Sequence, residues 1–189
     1  MWDAILSILI CNINWLINFR YVALSGFPLT FFIFTILWHM SLFPDSMYTS
    51  TKIDFFDVVC MLVLIDGIQT CFHCAAHTFL RHTFVGKSHM IHHVHRVPEP
   101  HDAFYTGFGD AIIQLILPLF VVLMIINPSR YSAILFGSIY SWWLLFIHSN
   151  SKKDYRWLEY FHLVTPRIHH KHHQTPSGNF SNIFWIFDN

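Results

Sequence analysis

Residues 22–43 (VALSGFPLTFFIFTILWHMSLF) contain no Asp, Glu, Lys or Arg. The hydrocarbon core of a bilayer takes about 20 such residues as a helix, and an internal proline such as Pro28 is tolerated there. The run reads as a membrane span, and the remaining composition agrees. Of 189 residues, 54% are hydrophobic and only 12% charged, which is too apolar for an ordinary soluble protein and long enough for one domain. Formal charge is zero and no basic run with interleaved aromatics occurs, so nucleic acid is not an expected partner. Cys11, Cys60, Cys71 and Cys74 lie in or beside apolar segments and read as small buried hydrophobes, not as a disulfide framework.

Three further segments have spanning character. Residues 55–76 (FFDVVCMLVLIDGIQTCFHCAA) begin apolar and then admit Asp66, Gln69 and His73. Such groups are costly inside a membrane helix and face a cavity or a partner. Residues 111–126 and 131–148 flank Asn127-Pro128-Ser129, a turn signal, and predict a helical hairpin. Residues 1–21 are open between an interfacial helix and a fifth span, because Asn12, Asn14 and Asn18 break the apolar character that residues 4–10 begin. A secretory signal peptide fits poorly, since no basic leading region precedes that stretch. Of 11 Lys and Arg, eight lie in segments 77–110 and 149–189, which the positive-inside rule puts on the cytoplasmic face as a cap.

Those two segments also hold most of the histidines. His73 and His77 form H-x-x-x-H, and His89, His92 and His93 form H-x-x-H-H. His169, His172 and His173 repeat H-x-x-H-H, and His148 closes a span on the same membrane face. On a helix, positions i, i+3 and i+4 share one face, so each box aims its rings together. Nine imidazoles exceed one tetrahedral zinc and suit two metals, each held by four or five nitrogens. His39, His82, His162 and His170 read as ordinary surface or packing residues, while His95 and His101 are closer to the boxes. Asp66, seven residues before His73, is a candidate to hold a ligand's free N–H from behind, and serves equally well as a helix-packing residue.

The boxes, a later His in HSN, TPRIHHKHH from Thr165, and then Asn179-Phe180 and Asp188 resemble the fatty acid hydroxylase and sterol desaturase superfamily of integral-membrane di-iron enzymes. The resemblance runs from about Asp66 to the end. It implies that the nine histidines are metal ligands, that Asp66 matches an acidic residue preceding the first box, and that the cofactors are two iron ions, with zinc able to substitute. It further implies O2 as co-substrate and a membrane lipid (a sterol, fatty acyl or related lipid) entering from the bilayer. No flavin or nucleotide fingerprint is present, so electrons are expected from an external donor such as a cytochrome b5 or ferredoxin-type protein. Cys74 and Lys152 stand where the family commonly has Arg and His, and the chain stops at Asn189 short of the usual ending, which leaves a truncated, inactive member as one expectation.

The expectation is therefore an all-α integral membrane protein with about four transmembrane helices and a helical cytoplasmic cap bearing a di-metal site. Residues 22–189 would be one domain, in the endoplasmic reticulum of a eukaryote or the inner membrane of a bacterium. The expected activity is hydroxylation or desaturation of a lipid C–H bond, a bond without an acid or base handle that needs a redox cofactor. A non-redox membrane metal-binding or transport protein is the competing class. It calls for ionisable residues through the membrane depth, and the spans at 22–43, 111–126 and 131–148 offer only His39, Gln114 and His148. A pH-sensing cap explains many imidazoles but not the repeated box spacing.

Overall fold

In a computed structural model, residues 26–151 and 153–188 are described, so the N-terminal segment 1–21 lies outside them. Among the described residues the chain is helical, with one isolated antiparallel bridge, Leu163 to Phe184. The long helices are α1 (Gly26–His39), α3 (Phe55–His77), α5 (Phe108–Ile126) and α6 (Arg130–Ile147). Shorter ones are α2 (Asp45–Thr49), α4 (Phe84–His92), α7 (Arg156–Glu159) and α8 (Pro166–Gln174). Two of the described helices, α3 and α5, are long and apolar enough to cross a membrane. The architecture is consistent with a helical membrane protein.

Helix α1 differs from the span expected at 22–43. Helix α1 ends at His39, and Ser41 adopts a left-handed φ of 53° that turns the chain back. Apolar residues continue past the turn because Phe43 is buried as a loop side chain among the rings of Phe34, Trp38 and Phe120. Hydropathy reports burial of either kind and does not see the turn.

Local chemistry sets the other ends. Asp54 caps α3 by accepting from the Phe56 N–H, and Ser129 caps α6 by accepting from Ser132. Between α5 and α6, Asn127 takes the left-handed conformation that Asn tolerates, at φ 53°. Ser46 of α2 donates to the Asn127 side chain at 2.6 Å and ties the hairpin turn to that short helix. Helix α5 starts at Phe108, ahead of the expected 111, and is wound as π-turns over Ala111–Ile116. Pro118 has no N–H to give the Gln114 carbonyl four residues back, and the Gln69 side chain of α3 donates to that carbonyl instead.

Helices α3, α5 and α6 pack together around Val58, Met61, Ile65, Val122, Phe136 and Ile147. Helix α4 meets the start of α5 at Gly107, where an added Cβ would stand 2.2 Å from the Ser88 hydroxyl and 2.9 Å from its carbonyl oxygen. That close approach lets Ser88 accept from the Asp110 N–H at 3.1 Å, fixing α4 against α5. Gly107→Ala is expected to destabilise the fold by about 1–3 kcal/mol through overpacking, read as a lower unfolding midpoint in detergent.

Candidate metal centre

Helix α3 supplies His73 and His77 one turn apart, and α4 supplies His89 and His92, with His93 as its C-cap. His148 caps the end of α6, and α8 supplies His169, His172 and His173. The structure gathers all nine into two groups. His73, His77, His89, His93 and His172 form one and His92, His148, His169 and His173 the other, with the nearest ring nitrogens of each group within 4.8 Å of one another. Each H-x-x-H-H box is shared between the two groups. From the first box, His89 and His93 enter the five-membered group and His92 the other; from the second, His172 enters the five-membered group while His169 and His173 enter the other.

The hydrogen bonds behind the rings decide what faces inward. Carbonyl oxygens accept from Nδ1 of His73 (Phe180, 2.6 Å), His92 (Tyr105, 3.1 Å), His148 (Leu144, 2.7 Å), His172 (Gly178, 2.8 Å) and His173 (His95, 3.0 Å). The Asp110 carboxylate accepts from Nδ1 of His89 at 3.0 Å. A carbonyl only accepts, so these Nδ1 atoms hold the proton and each Nε2 presents a lone pair. Burial, aided by neighbouring imidazoles, pushes His92 down to about 4 and His172 down to about 3, so both rings are neutral at pH 7. Burial also drives His93, His169 and His173 downward, with the surrounding rings adding to the effect.

The inward nitrogens nevertheless approach closely. In the five-membered group, Nε2 of His77 lies 2.9 Å from that of His89 and 3.1 Å from that of His93, and His93 lies 3.2 Å from His172. In the four-membered group, His148 lies 3.0 Å from His169 and 3.3 Å from His92. Where two anchored rings meet, as at His92 and His148, both nitrogens carry lone pairs, which repel at 3.3 Å unless a cation stands between them. An ion about 2.1 Å from each nitrogen puts ligands at right angles about 3.0 Å apart. The donor set therefore fits a metal in each group, with the neutral imidazoles already in their binding form.

Asp66 does not approach a ring nitrogen. Its carboxylate, fully buried, accepts from the backbone N–H groups of Asn182, Ile183 and Phe184 at 2.8, 3.0 and 2.6 Å. The residue that holds a histidine from behind is Asp110, which also accepts from the Thr106 hydroxyl. It was hidden in the sequence because it sits alone where a polar segment meets an apolar one. His95 contributes its carbonyl to His173, while its ring lies 3.7 Å from Asp102, as His101 does at 3.5 Å. His39, His82 and His162 are exposed and His170 is half-buried, all outside both groups.

Both groups border a cavity of about 80 Å³. Its remaining wall includes Gln69, Gln114, Tyr140 and Asn182, with the Tyr140 hydroxyl and the Asn182 amide both donating to the Gln69 carbonyl oxygen. Gln69 stands out in the sequence as a costly polar group; Tyr140 and Asn182 carry no signal that separates them from packing residues.

The profile of the fatty acid hydroxylase family matches residues 58–189, a stretch that contains every histidine of both groups. The chain belongs to the fatty acid hydroxylase family. It is also 33% identical over 169 residues, 87% of its length, to an alternative squalene epoxidase of Phaeodactylum tricornutum. The chain spans about half (48%) of that relative's own length. No solved structure matches it.

Asp110→Asn leaves His89 without its anionic partner and is expected to lower metal affinity about 10–100-fold, measured by competition with a chelator. A second expectation concerns pH. In the metal-free protein, folded-state His92 and His172 titrate below an unfolded value near 6.5. The unfolded chain then binds more protons between about pH 6.5 and 3, so stability falls as pH drops through that window and is flat above it. Thermal midpoints of metal-free protein across pH 8 to 4 check this sign.

Proposed function

We propose that this chain is an O2-dependent oxidoreductase that uses two irons to oxidise a membrane lipid, hydroxylating or desaturating it or adding oxygen across a double bond. The observation that carries the reading is the pair of adjacent, buried groups of neutral imidazoles opening on one cavity. The relative's name favours an isoprenoid hydrocarbon such as squalene as the kind of substrate. When bound, two irons supply the redox power that an unactivated C–H or C=C bond requires, and imidazole suits iron among other metals.

The chain's own residues do the rest. Nδ1 anchoring aims every anchored ring at its ion and leaves no such ring free to swing into the cavity. Gln69, Tyr140 and Asn182 hold one another and keep the cavity wall rigid beside His73 and His148. The cavity admits only a few atoms, so a long lipid presents one bond at a time. Inserting one oxygen atom of O2 releases the other as water and consumes two electrons and two protons. Those electrons come from a cytochrome b5 or ferredoxin-type donor docking on the cap. Excess Lys and Arg in segments 77–110 and 149–189 favours a cytoplasmic cap on about four spans, counting α1 and α6 with α3 and α5.

Protein purified in mild detergent after iron supplementation is expected to carry about two irons per chain, with both groups depleted in a His172→Ala/His173→Ala double variant, because these residues serve one group each. Incubated with squalene, O2 and a reduced donor, it is expected to yield oxygenated lipid that the double variant does not make. Zero or one metal per chain, or a content indifferent to the double change, sinks the proposal.

A further inference from the structure

The segment Gly178–Phe184 lies against α3 and is bonded to it at three successive levels. Asp66 accepts from the N–H groups of residues 182, 183 and 184; the Thr70 hydroxyl donates to Ser181 at 3.3 Å; His73 donates to the Phe180 carbonyl. Asp188 accepts from the two N–H groups just before these, those of Phe180 and Ser181. Two carboxylates thus take five consecutive backbone donors, and charge-assisted bonds of this kind are the strong ones. Asn179 sits before the stapled run at φ 58°, a left-handed turn between the carbonyls of Gly178 and Phe180. Those two carbonyls accept from His172 and His73.

Both of these histidines belong to the five-membered group. The anchors of the four-membered group come from Leu144, Tyr105 and His95, none of them in the segment. The geometry points to Asp66 and Asp188 as positioning residues for one metal alone: they hold the segment whose carbonyls fix the tautomer and aim of His73 and His172. This rests on the reading of each group as a metal site. It makes the two ions separable, with the five-histidine ion dependent on a carboxylate that touches no ligand.

Asp66→Asn keeps the shape but presents an amide NH2 to a backbone N–H, so at least one of the three bonds is lost. The test is iron(II) or cobalt(II) affinity in two backgrounds, each with one group broken. In a His169→Ala background the surviving ion sits in the five-membered group, and adding Asp66→Asn is expected to weaken it about 10–100-fold. In a His77→Ala background the surviving ion sits in the four-membered group, and the same change is expected to leave its affinity unaltered. Amide hydrogen exchange on the metal-free full chain is read alongside: residues 180–184 should lose protection in Asp66→Asn while α6 keeps it.

Equal weakening in the two backgrounds overturns the inference, as does faster exchange at 180–184 with unchanged affinity in the His169→Ala background. If Asp66→Asn loses helical structure altogether, Asp188→Asn is put through the same comparison, and equal losses there overturn it too. A parent chain that binds no metal overturns both the inference and the proposed function. A parent that binds two metals but oxidises no lipid removes only the proposed function and leaves this comparison intact.

Discussion

Everything at the centre depends on which ring nitrogen carries the proton. Six imidazoles are committed to outward Nδ1–H bonds, five to backbone carbonyls and one to Asp110, and the commitment turns six lone pairs inward. Such an arrangement is unfavourable by itself and is held by the fold around it. Helix α3 is packed on α5 and α6, α4 is locked to α5 through Ser88 and Gly107, and the chain after α8 is stapled back to α3. The backbone carbonyls that do the anchoring are free to do so because most lie at helix ends and in irregular segments, where helical pairing leaves acceptors over.

Much of this was readable in the sequence. The charge-free runs marked where helices lie, since length and apolarity are direct demands of a bilayer. The box spacing marked which rings share a helix face, since i, i+3 and i+4 are fixed by helix geometry. Counting donors led to an expectation of four or five nitrogens in each of two sets, and the structure gathers five and four. The fold boundaries were less accessible. Phe43 is as apolar in a loop as in a span, so nothing in hydropathy could stop α1 at His39.

The supporting shell was the least legible part, for a physical reason. Backbone carbonyls carry no side-chain signature, so the acceptors at Phe180, Gly178, Tyr105 and His95 are invisible until the chain is folded. Asp66 illustrates the same limit from the other side. Its acidic character seven residues before His73 was evident, yet a carboxylate can take N–H groups from rings or from backbone with equal ease. Only the return of residues 182–184 alongside α3 selects the backbone.

The division of each H-x-x-H-H box has a further meaning. His92 and His93 are bonded neighbours that serve different groups, and so are His172 and His173. Two peptide links, each holding consecutive Cα atoms about 3.8 Å apart, therefore run from one half of the centre to the other. Covalent geometry thus constrains the spacing between the halves at two points, on two different helices, in addition to the packing of the helices. A membrane that bends, thins or compresses the bundle can shift helices against one another, but it acts on that spacing through a rigid covalent ruler.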